Sequence, residues 1–90
     1  MKLSQPILIL NQKGLHARAS VKLAELSAQF QAQIVISNPT TNADAKNVLQ
    51  LMMLAASKGT QLELHCDGED AEDAATAILG LINNFFDEEA

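Results

Sequence analysis

The chain has 90 residues, of which 48% are hydrophobic and only three are aromatic, all of them phenylalanine. A chain of this length forms one domain with a modest core, so we expect residues 1–90 to be a single domain. The net charge of −5 argues against nucleic acid and anionic membrane surfaces as partners, because both would require a basic surface.

The first predicted element is a strand. Leu3 to Leu10 is rich in aliphatic residues, and Pro6 within it favours a sheet edge or a bulge. The apolar stretch is too short for a secretion signal, and no run in the chain approaches the length of a bilayer span. We therefore expect a cytoplasmic protein. From about His16 to Gln29 the chain predicts an amphipathic first helix, with apolar residues at helical spacing: Ala19, Leu23, Leu26 and Phe30.

The middle of the chain predicts a hairpin and a second helix. Gln33 to Ser37 is a β-branched stretch, and the turn chemistry that follows it leads to a short strand near Thr41 to Ala43. A helix from about Ala45 to Ser57 carries more apolar residues than one buried stripe requires, so part of its surface is expected to be exposed. Gly59 is well placed as the left-handed stop of this helix.

The last third predicts a strand and a third helix. Gln61 to Cys66 alternates as a half-buried strand does, with Leu62, Leu64 and Cys66 facing inward. Asp70 is the expected N-cap of a helix that runs to about Phe86. Its apolar face is predicted to comprise Ala71, Ala74, Ala75, Ile78, Ile82 and Phe85. The acidic tail from Asp87 to Glu89 is expected to be solvated, with no further role.

The single cysteine cannot form an internal disulfide, which is typical of a protein in a reducing compartment. His65 beside Cys66 is a candidate metal pair. However, neighbouring residues on a strand point to opposite faces, and no further ligands lie nearby in sequence. We therefore expect no metal site.

The order strand, helix, strand, strand, helix, strand, helix predicts an α+β sandwich. Helices should cover one face of a mainly antiparallel, four-stranded sheet whose other face meets water. Such an architecture does not by itself define a function, because small α+β sandwiches support metal carriage, ligand sensing and RNA binding alike.

The segment Lys13 to Ser20 carries the functional signal. Gly14 permits a sharp turn, and the residues after it are good helix formers, so His16 should lie at a helix N-terminus. The unpaired amides and the helix dipole there favour an anion on a neutral imidazole, which is the nucleophilic form of histidine. Arg18 adds a permanent charge that can bind two phosphate oxygens. This pattern predicts a reversible phosphohistidine, although His16 as a helix cap or surface residue and Arg18 as an ordinary solvated side chain remain alternatives.

Four motifs resemble the histidine phosphocarrier family HPr in order and spacing, over nearly the whole chain. They are Gly14-Leu15-His16-Ala17-Arg18, Asn42-Ala43-Asp44-Ala45-Lys46-Asn47, Leu51 through Lys58-Gly59, and Gly68-Glu69-Asp70-Ala71. The resemblance implies an open-faced β-sandwich of four antiparallel strands and three helices. It also implies a monomeric phosphocarrier, not a stand-alone catalyst, that takes a phosphoryl group from phosphorylated enzyme I and passes it to a IIA protein.

The resemblance further implies roles for individual residues. His16 would carry the group on Nδ1, and Arg18 would stabilise it. For the mechanism we expect backbone amides near Ala17 and Arg18 to hold the phosphoryl oxygens, with no metal or soluble cofactor. The second helix would dock partners, and Val48 and Met52, four apart and so on one face, are the positions we choose. Core packing is the alternative role for these two side chains.

Two positions depart from the family pattern. The family usually has proline after the arginine, whereas this chain has Ala19, which should loosen the turn without removing the nucleophile. Some Gram-positive members carry a kinase-regulated serine where this chain has Asn47. Asparagine cannot accept that phosphate, so we expect no such kinase control; a kinase assay that labels Asn47 or its neighbours would contradict this.

Met52-Met53-Leu54 and the ending Asn84 to Glu89 are similar to NPr, the family branch that works in the nitrogen-related phosphotransferase system. The resemblance then implies a nitrogen-branch enzyme I as donor and its IIA partner as acceptor, in a regulatory relay. A sugar-branch HPr that feeds carbohydrate uptake and a non-catalytic protein-binding domain are the alternatives. Surface residues near a docking site decide between branches through small differences in affinity.

Overall fold

Seven elements and a final turn make up the computed structural model, which describes residues 1–88. The strands form one antiparallel sheet in the order β1-β4-β2-β3. This arrangement confirms the α+β prediction. The elements are β1 (Lys2–Leu8), α1 (Ala17–Ser27), β2 (Gln33–Ser37), β3 (Asn42–Asp44), α2 (Val48–Met53), β4 (Gln61–Asp67) and α3 (Ala71–Asn83), followed by a 3-10 turn (Phe85–Asp87).

The strand signals in the sequence correspond closely to the sheet. In the described part of the chain β1 pairs with β4 alone, so Pro6 lies on an edge strand, where its missing N–H disrupts no central ladder. The predicted hairpin joins β2 and β3, and its turn is held by the Asn38 side chain. The amide oxygen of Asn38 accepts hydrogen bonds from the backbone N–H groups of Thr40 at 2.9 Å and Thr41 at 2.7 Å.

The core lies between the sheet and the helices. Leu62, Leu64 and Cys66 of β4 are buried, as the alternation predicts. Burial, with a smaller contribution from the charge of Asp70, raises the pKa of the Cys66 thiol. No helix within residues 1–88 combines the length and the apolar character needed to span a bilayer.

The second helix is shorter than predicted. It covers Val48–Met53, not Ala45 to Ser57, because the chain beyond it makes tertiary hydrogen bonds that a helix would prevent. Ala55 takes a left-handed conformation with φ of 52°, and the carbonyl of Ala56 then accepts the N–H of Leu15 at 2.8 Å. Gly59 has a positive φ but does not stop the helix; it lies in the turn before β4 and donates to Ile9.

The third helix also ends earlier than predicted, at Asn83. Phe85 is only partly buried, whereas Phe86, which the periodicity did not select, is fully buried. Asp70 occupies the predicted N-cap position without capping the helix. Its carboxylate instead accepts the N–H groups of Gln31 and Ala32, each at 2.8 Å, and so connects the chain before β2 to the start of α3.

Candidate functional site

A tight turn from Asn11 to Gly14 precedes the predicted site. Gly14 has a φ of 66° and donates its N–H to the Asn11 carbonyl at 3.1 Å. The side-chain amide of Asn11, fully buried, donates back to the Gly14 carbonyl at 2.7 Å. The next residue, Leu15, is tied to Ala56 as described above. The backbone is therefore held in place on both sides of Gly14 before it reaches His16.

His16 is the N-cap residue of α1, as the sequence predicts. Its backbone is extended, its carbonyl accepts the N–H of Ser20 at 2.8 Å, and its ring makes no capping hydrogen bond. The His16 ring therefore does not act as a helix cap, although the residue occupies the N-cap position. The imidazole is partly exposed, with 28% of the side chain accessible.

The first turn of α1 provides both the amides and the guanidinium that the sequence predicts near His16. The leading N–H groups of a helix have no intrahelical acceptor, and here they belong to Ala17, Arg18 and Ala19. Arg18 is exposed, and the structure pairs it with no carboxylate within residues 1–88. Ala19, where the family usually has proline, is fully buried and continues the helix. An anion beside His16 would meet these leading amides and the positive end of the helix dipole, with the cationic Arg18 in the same turn of the helix.

The C-terminal segment contributes a contact that the sequence analysis missed. The Glu88 carboxylate lies 2.5 Å from His16 Nε2, and its other oxygen accepts the Asn11 amide at 3.1 Å. Asp87 lies 3.6 Å from Lys22 Nζ. The prediction that these acidic residues have no further role is therefore wrong for Asp87 and Glu88, while Glu89 lies outside the described residues. His16 and Glu88 are 72 residues apart, so no local sequence signal predicts their contact. Only the cluster of acidic residues at the end of the chain could have suggested that one of them binds a basic side chain.

The electrostatic environment of Glu88 favours its ionised form. Burial raises the pKa of the Glu88 carboxyl, but hydrogen bonds from Asn11 and His16 and the positive charges of His16 and Lys13 outweigh that effect. The pKa is held below its ordinary value of 4.5. Near neutral pH, the group that faces the His16 ring is therefore a carboxylate.

The second histidine is in a different environment. His65 Nδ1 is hydrogen-bonded to Ser4 Oγ at 2.8 Å, and His65 Nε2 to Ser37 Oγ at 3.0 Å. Both ring nitrogens are thus engaged by hydroxyl groups across three neighbouring strands. In contrast, His16 Nδ1 has no hydrogen-bond partner among residues 1–88. Within the same range, no three His, Cys, Asp or Glu side chains lie close enough to share a metal ion.

An apolar surface on α2 is the second candidate feature. Val48 is half-buried and packs against the core, whereas Met52 is 40% exposed. Leu49 and Met53, which the sequence analysis did not choose, are 73% and 72% exposed. Asn47 caps the helix, since its side chain accepts the Gln50 N–H at 3.0 Å. The exposed apolar surface therefore comprises Leu49, Met52 and Met53, and we call it the α2 surface.

The geometry around His16 permits one kind of chemistry. One ring nitrogen is held by a carboxylate, the other is available, and anion-binding groups lie in the adjoining turn. This combination suits a nucleophilic imidazole that takes up and releases an anionic group. The His16 ring lies at a helix end and is partly exposed, so a protein partner can reach it.

Comparison with known proteins gives a consistent result. Residues 3–84 match the family model described as the PTS HPr component phosphorylation site. Phosphocarrier protein HPr of Pseudomonas putida is 45% identical over 86 residues, which cover 94% of this chain and 96% of that protein. Phosphocarrier protein NPr of Escherichia coli K12 is 39% identical over 90 residues, covering 99% and 100%. The crystal structure of HPr-C-His from Thermoanaerobacter tengcongensis superposes with a TM-score of 0.92 at 32% identity, covering 98% and 99%.

Proposed function

The chain belongs to the HPr family of phosphocarriers of the phosphotransferase system, and on that premise we propose that His16 is its phosphoryl acceptor. Family membership implies enzyme I as the donor and a IIA protein as the recipient. The observation that carries the assignment to His16 is its position at the start of α1, with one ring nitrogen bound to Glu88 and the other available.

The proposed mechanism uses the chain's own residues. Neutral His16 attacks the phosphoryl group of the donor's phosphohistidine through Nδ1. The first amides of α1, at Ala17 and Arg18, hold the phosphoryl oxygens, and the Arg18 guanidinium balances their charge. Transfer onward to the IIA protein reverses these steps. The exposed position of the ring supports this role, because a carrier that serves two large partners must present its phosphoryl group to both.

The α2 surface is our proposed docking site. Exposed Leu49, Met52 and Met53 lie together on one short helix, and the packing of α2 against α1 keeps that helix beside the one whose N-cap residue is His16. Val48 contributes from its half-buried position. Large apolar side chains exposed together are typical of protein interaction sites. Methionine adapts to differently shaped partners, which suits a surface that meets both a donor and a recipient.

Within the family, we assign the chain to the nitrogen-related branch. Two sequence features support this assignment, because both resemble that branch: the run Met52-Met53-Leu54 and the ending Asn84 to Glu89. Relatives of both branches match nearly the whole chain, so overall identity does not discriminate between them. The sugar-branch HPr remains the competing assignment. It predicts faster labelling by the sugar-branch enzyme I.

Labelling with radioactive phosphoenolpyruvate and enzyme I tests the proposal. Wild-type protein should acquire an acid-labile label, as phosphohistidine does, and His16→Ala should acquire none. His65→Ala is the matched control: it removes the other histidine, whose ring nitrogens are both hydrogen-bonded, and should label normally. Parallel reactions with enzyme I from each branch identify the donor. Label on the His16→Ala protein, or an acid-stable label on the wild type, would refute the assignment.

A non-catalytic protein-binding domain is the alternative from a different functional class. The exposed α2 surface is the observation that favours it. The same experiment separates the two functions, because a binding module would retain its partners but would acquire no label from either enzyme I.

A further inference from the structure

Glu88 makes a direct contact with the proposed phosphoryl acceptor from the far end of the chain. One carboxylate oxygen lies 2.5 Å from His16 Nε2, and the other accepts the Asn11 amide at 3.1 Å. Asn11 in turn belongs to the turn that leads to His16. We infer that Glu88 is a positioning residue that holds the proton of neutral His16 on Nε2 and offsets the charge of the phosphorylated ring. This inference deepens the proposed function and rests on it.

The backbone conformation of the residues before Glu88 places its carboxylate beside His16. Phe85, Phe86 and Asp87 have φ values of 55°, 52° and 63°, a left-handed conformation that non-glycine residues rarely adopt. Such a conformation persists only where surrounding contacts enforce it. Here the Phe86 side chain is fully buried, and Lys22 Nζ donates to the Phe86 carbonyl at 2.9 Å. The segment is thereby anchored to the core and to α1.

The contact determines which ring nitrogen carries the proton. An ionised carboxylate can only accept hydrogen bonds, so Nε2 of His16 must donate to Glu88. In the neutral ring the other nitrogen, Nδ1, then has a lone pair and no proton. The Asn11 amide donates its protons to Glu88 and to the Gly14 carbonyl, which keeps the carboxylate from turning away. The nucleophilic nitrogen is thus selected before the donor arrives.

The same carboxylate acts during transfer. The lone pair of Nδ1 forms the new N–P bond, the N–P bond of the donor's phosphohistidine breaks, and its electron pair returns to the donor ring. The proton on Nε2 stays in place, so the ring of His16 becomes positively charged as the phosphoryl group arrives. Glu88, hydrogen-bonded to that proton, offsets the developing charge, as a buried carboxylate does for a histidine general base. Transfer onward returns the ring to its neutral form.

Glu88→Gln tests the inference, because it preserves the size of the side chain while removing its charge. An amide can donate or accept, so it no longer determines which nitrogen carries the proton. We expect the transfer rate at saturating phosphorylated enzyme I to fall about tenfold, the difference between a charge-assisted and a neutral hydrogen bond, with little change in the half-saturating concentration. In NMR spectra of unphosphorylated wild type, the Nε2 proton should appear far downfield and exchange slowly. That signal should be lost in the variant.

Asp87→Asn is the matched control. It removes the same charge from the same segment, but Asp87 contacts Lys22 and Asn84 and not His16. It should retain the wild-type rate and the Nε2 signal. Equal losses in both variants would overturn the inference, because they would indicate a general field effect. A wild-type rate or a persistent signal in Glu88→Gln would overturn it as well. Failure of the wild type to be labelled would refute the proposed function instead, since the NMR measurement needs no phosphorylation.

Discussion

Gly14 is the residue whose backbone most constrains the site. Its φ is positive, and a Cβ at this position would lie 2.4 Å from the Ala56 carbonyl oxygen and 2.8 Å from Ser57 Cα. Gly14→Ala would therefore introduce both backbone strain and a clash with another backbone segment. We predict a loss of about 3 kcal/mol in the free energy of unfolding, together with slower phosphorylation of His16. Urea denaturation and the labelling assay measure the two effects.

Gly59→Ala separates the two causes. Gly59 also has a positive φ, of 88°, but apart from its chain neighbours no atom of residues 1–88 lies within 4 Å of the position its Cβ would take. This control should cost only about 1 kcal/mol and leave labelling unchanged. Equal losses of stability in the two variants would mean that the close approach of Gly14 to Ala56 has no energetic consequence.

Among individual site residues, the sequence predicts those whose position is set by their immediate neighbours in the chain. Gly14 before a run of helix formers is sufficient to locate His16 at the helix start, with Arg18 in its first turn. Asn11 and Glu88 carry no such signal. The Asn11 amide bonds to the Gly14 carbonyl across a turn that is recognisable only in the folded structure. Glu88 follows three consecutive residues in the left-handed conformation, which the conformational preferences of non-glycine residues disfavour.

Among the elements, α2 offers the next prediction. Leu49 and Met53 are four residues apart on one helix and are its most exposed large hydrophobic side chains. Met53→Glu should raise the half-saturating concentration of phosphorylated enzyme I about tenfold while the saturated transfer rate stays within a factor of two, because the proposed docking surface and the proposed phosphoryl acceptor are different residues. Steady-state labelling over a range of donor concentrations measures both parameters.

Leu8→Glu provides the control for this prediction. Leu8 is also an exposed large hydrophobic residue, but it lies on the edge strand β1. The variant introduces the same charge away from α2 and should leave both kinetic parameters unchanged. A fall in the saturated rate of Met53→Glu would show that α2 affects the reaction itself.

The elements also differ in how far the sequence could define them. β2 is predicted to the residue, because alternation and turn chemistry act locally. The predicted length of α2 is wrong because the end of the helix depends on a residue distant in sequence. The N–H of Leu15 donates a hydrogen bond to the carbonyl of Ala56. The apolar run from Val48 to Leu54 contains nothing that marks where the helix must give way to that contact.

For the molecule as a whole, acid stability follows from two carboxylates that join distant segments. Backbone hydrogen bonds from Gln31 and Ala32, despite partial burial, hold the pKa of Asp70 below its ordinary value of 3.8, and the pKa of Glu88 is also lowered. A carboxyl whose pKa is lower in the folded than in the unfolded chain stabilises the fold above its unfolded pKa. This stabilisation is lost as the pH falls through the folded pKa. We predict that the free energy of unfolding declines below about pH 4.5.

Asp70→Asn isolates one of these contributions. At pH 7 the variant should be less stable than wild type, because a neutral amide oxygen is a weaker acceptor for two backbone N–H groups. The two proteins should approach equal stability well below pH 3.8, where the wild-type carboxyl is also neutral. Denaturant titrations at several pH values measure this, and a stability difference that did not depend on pH would contradict the assigned role of the charge.

The strand order has a consequence for the rate of folding. β4 lies between β1 and β2, and the register joins Lys2 to Asp67, so most of the sheet depends on loop closures of tens of residues. Among the strand pairs of residues 1–88, the β2 and β3 hairpin alone closes over a short loop. Such a high contact order slows folding, because the chain entropy is lost before the distant pairing compensates for it. Until β4 inserts, the inner edges of β1 and β2 have no partner and are open to association with other chains.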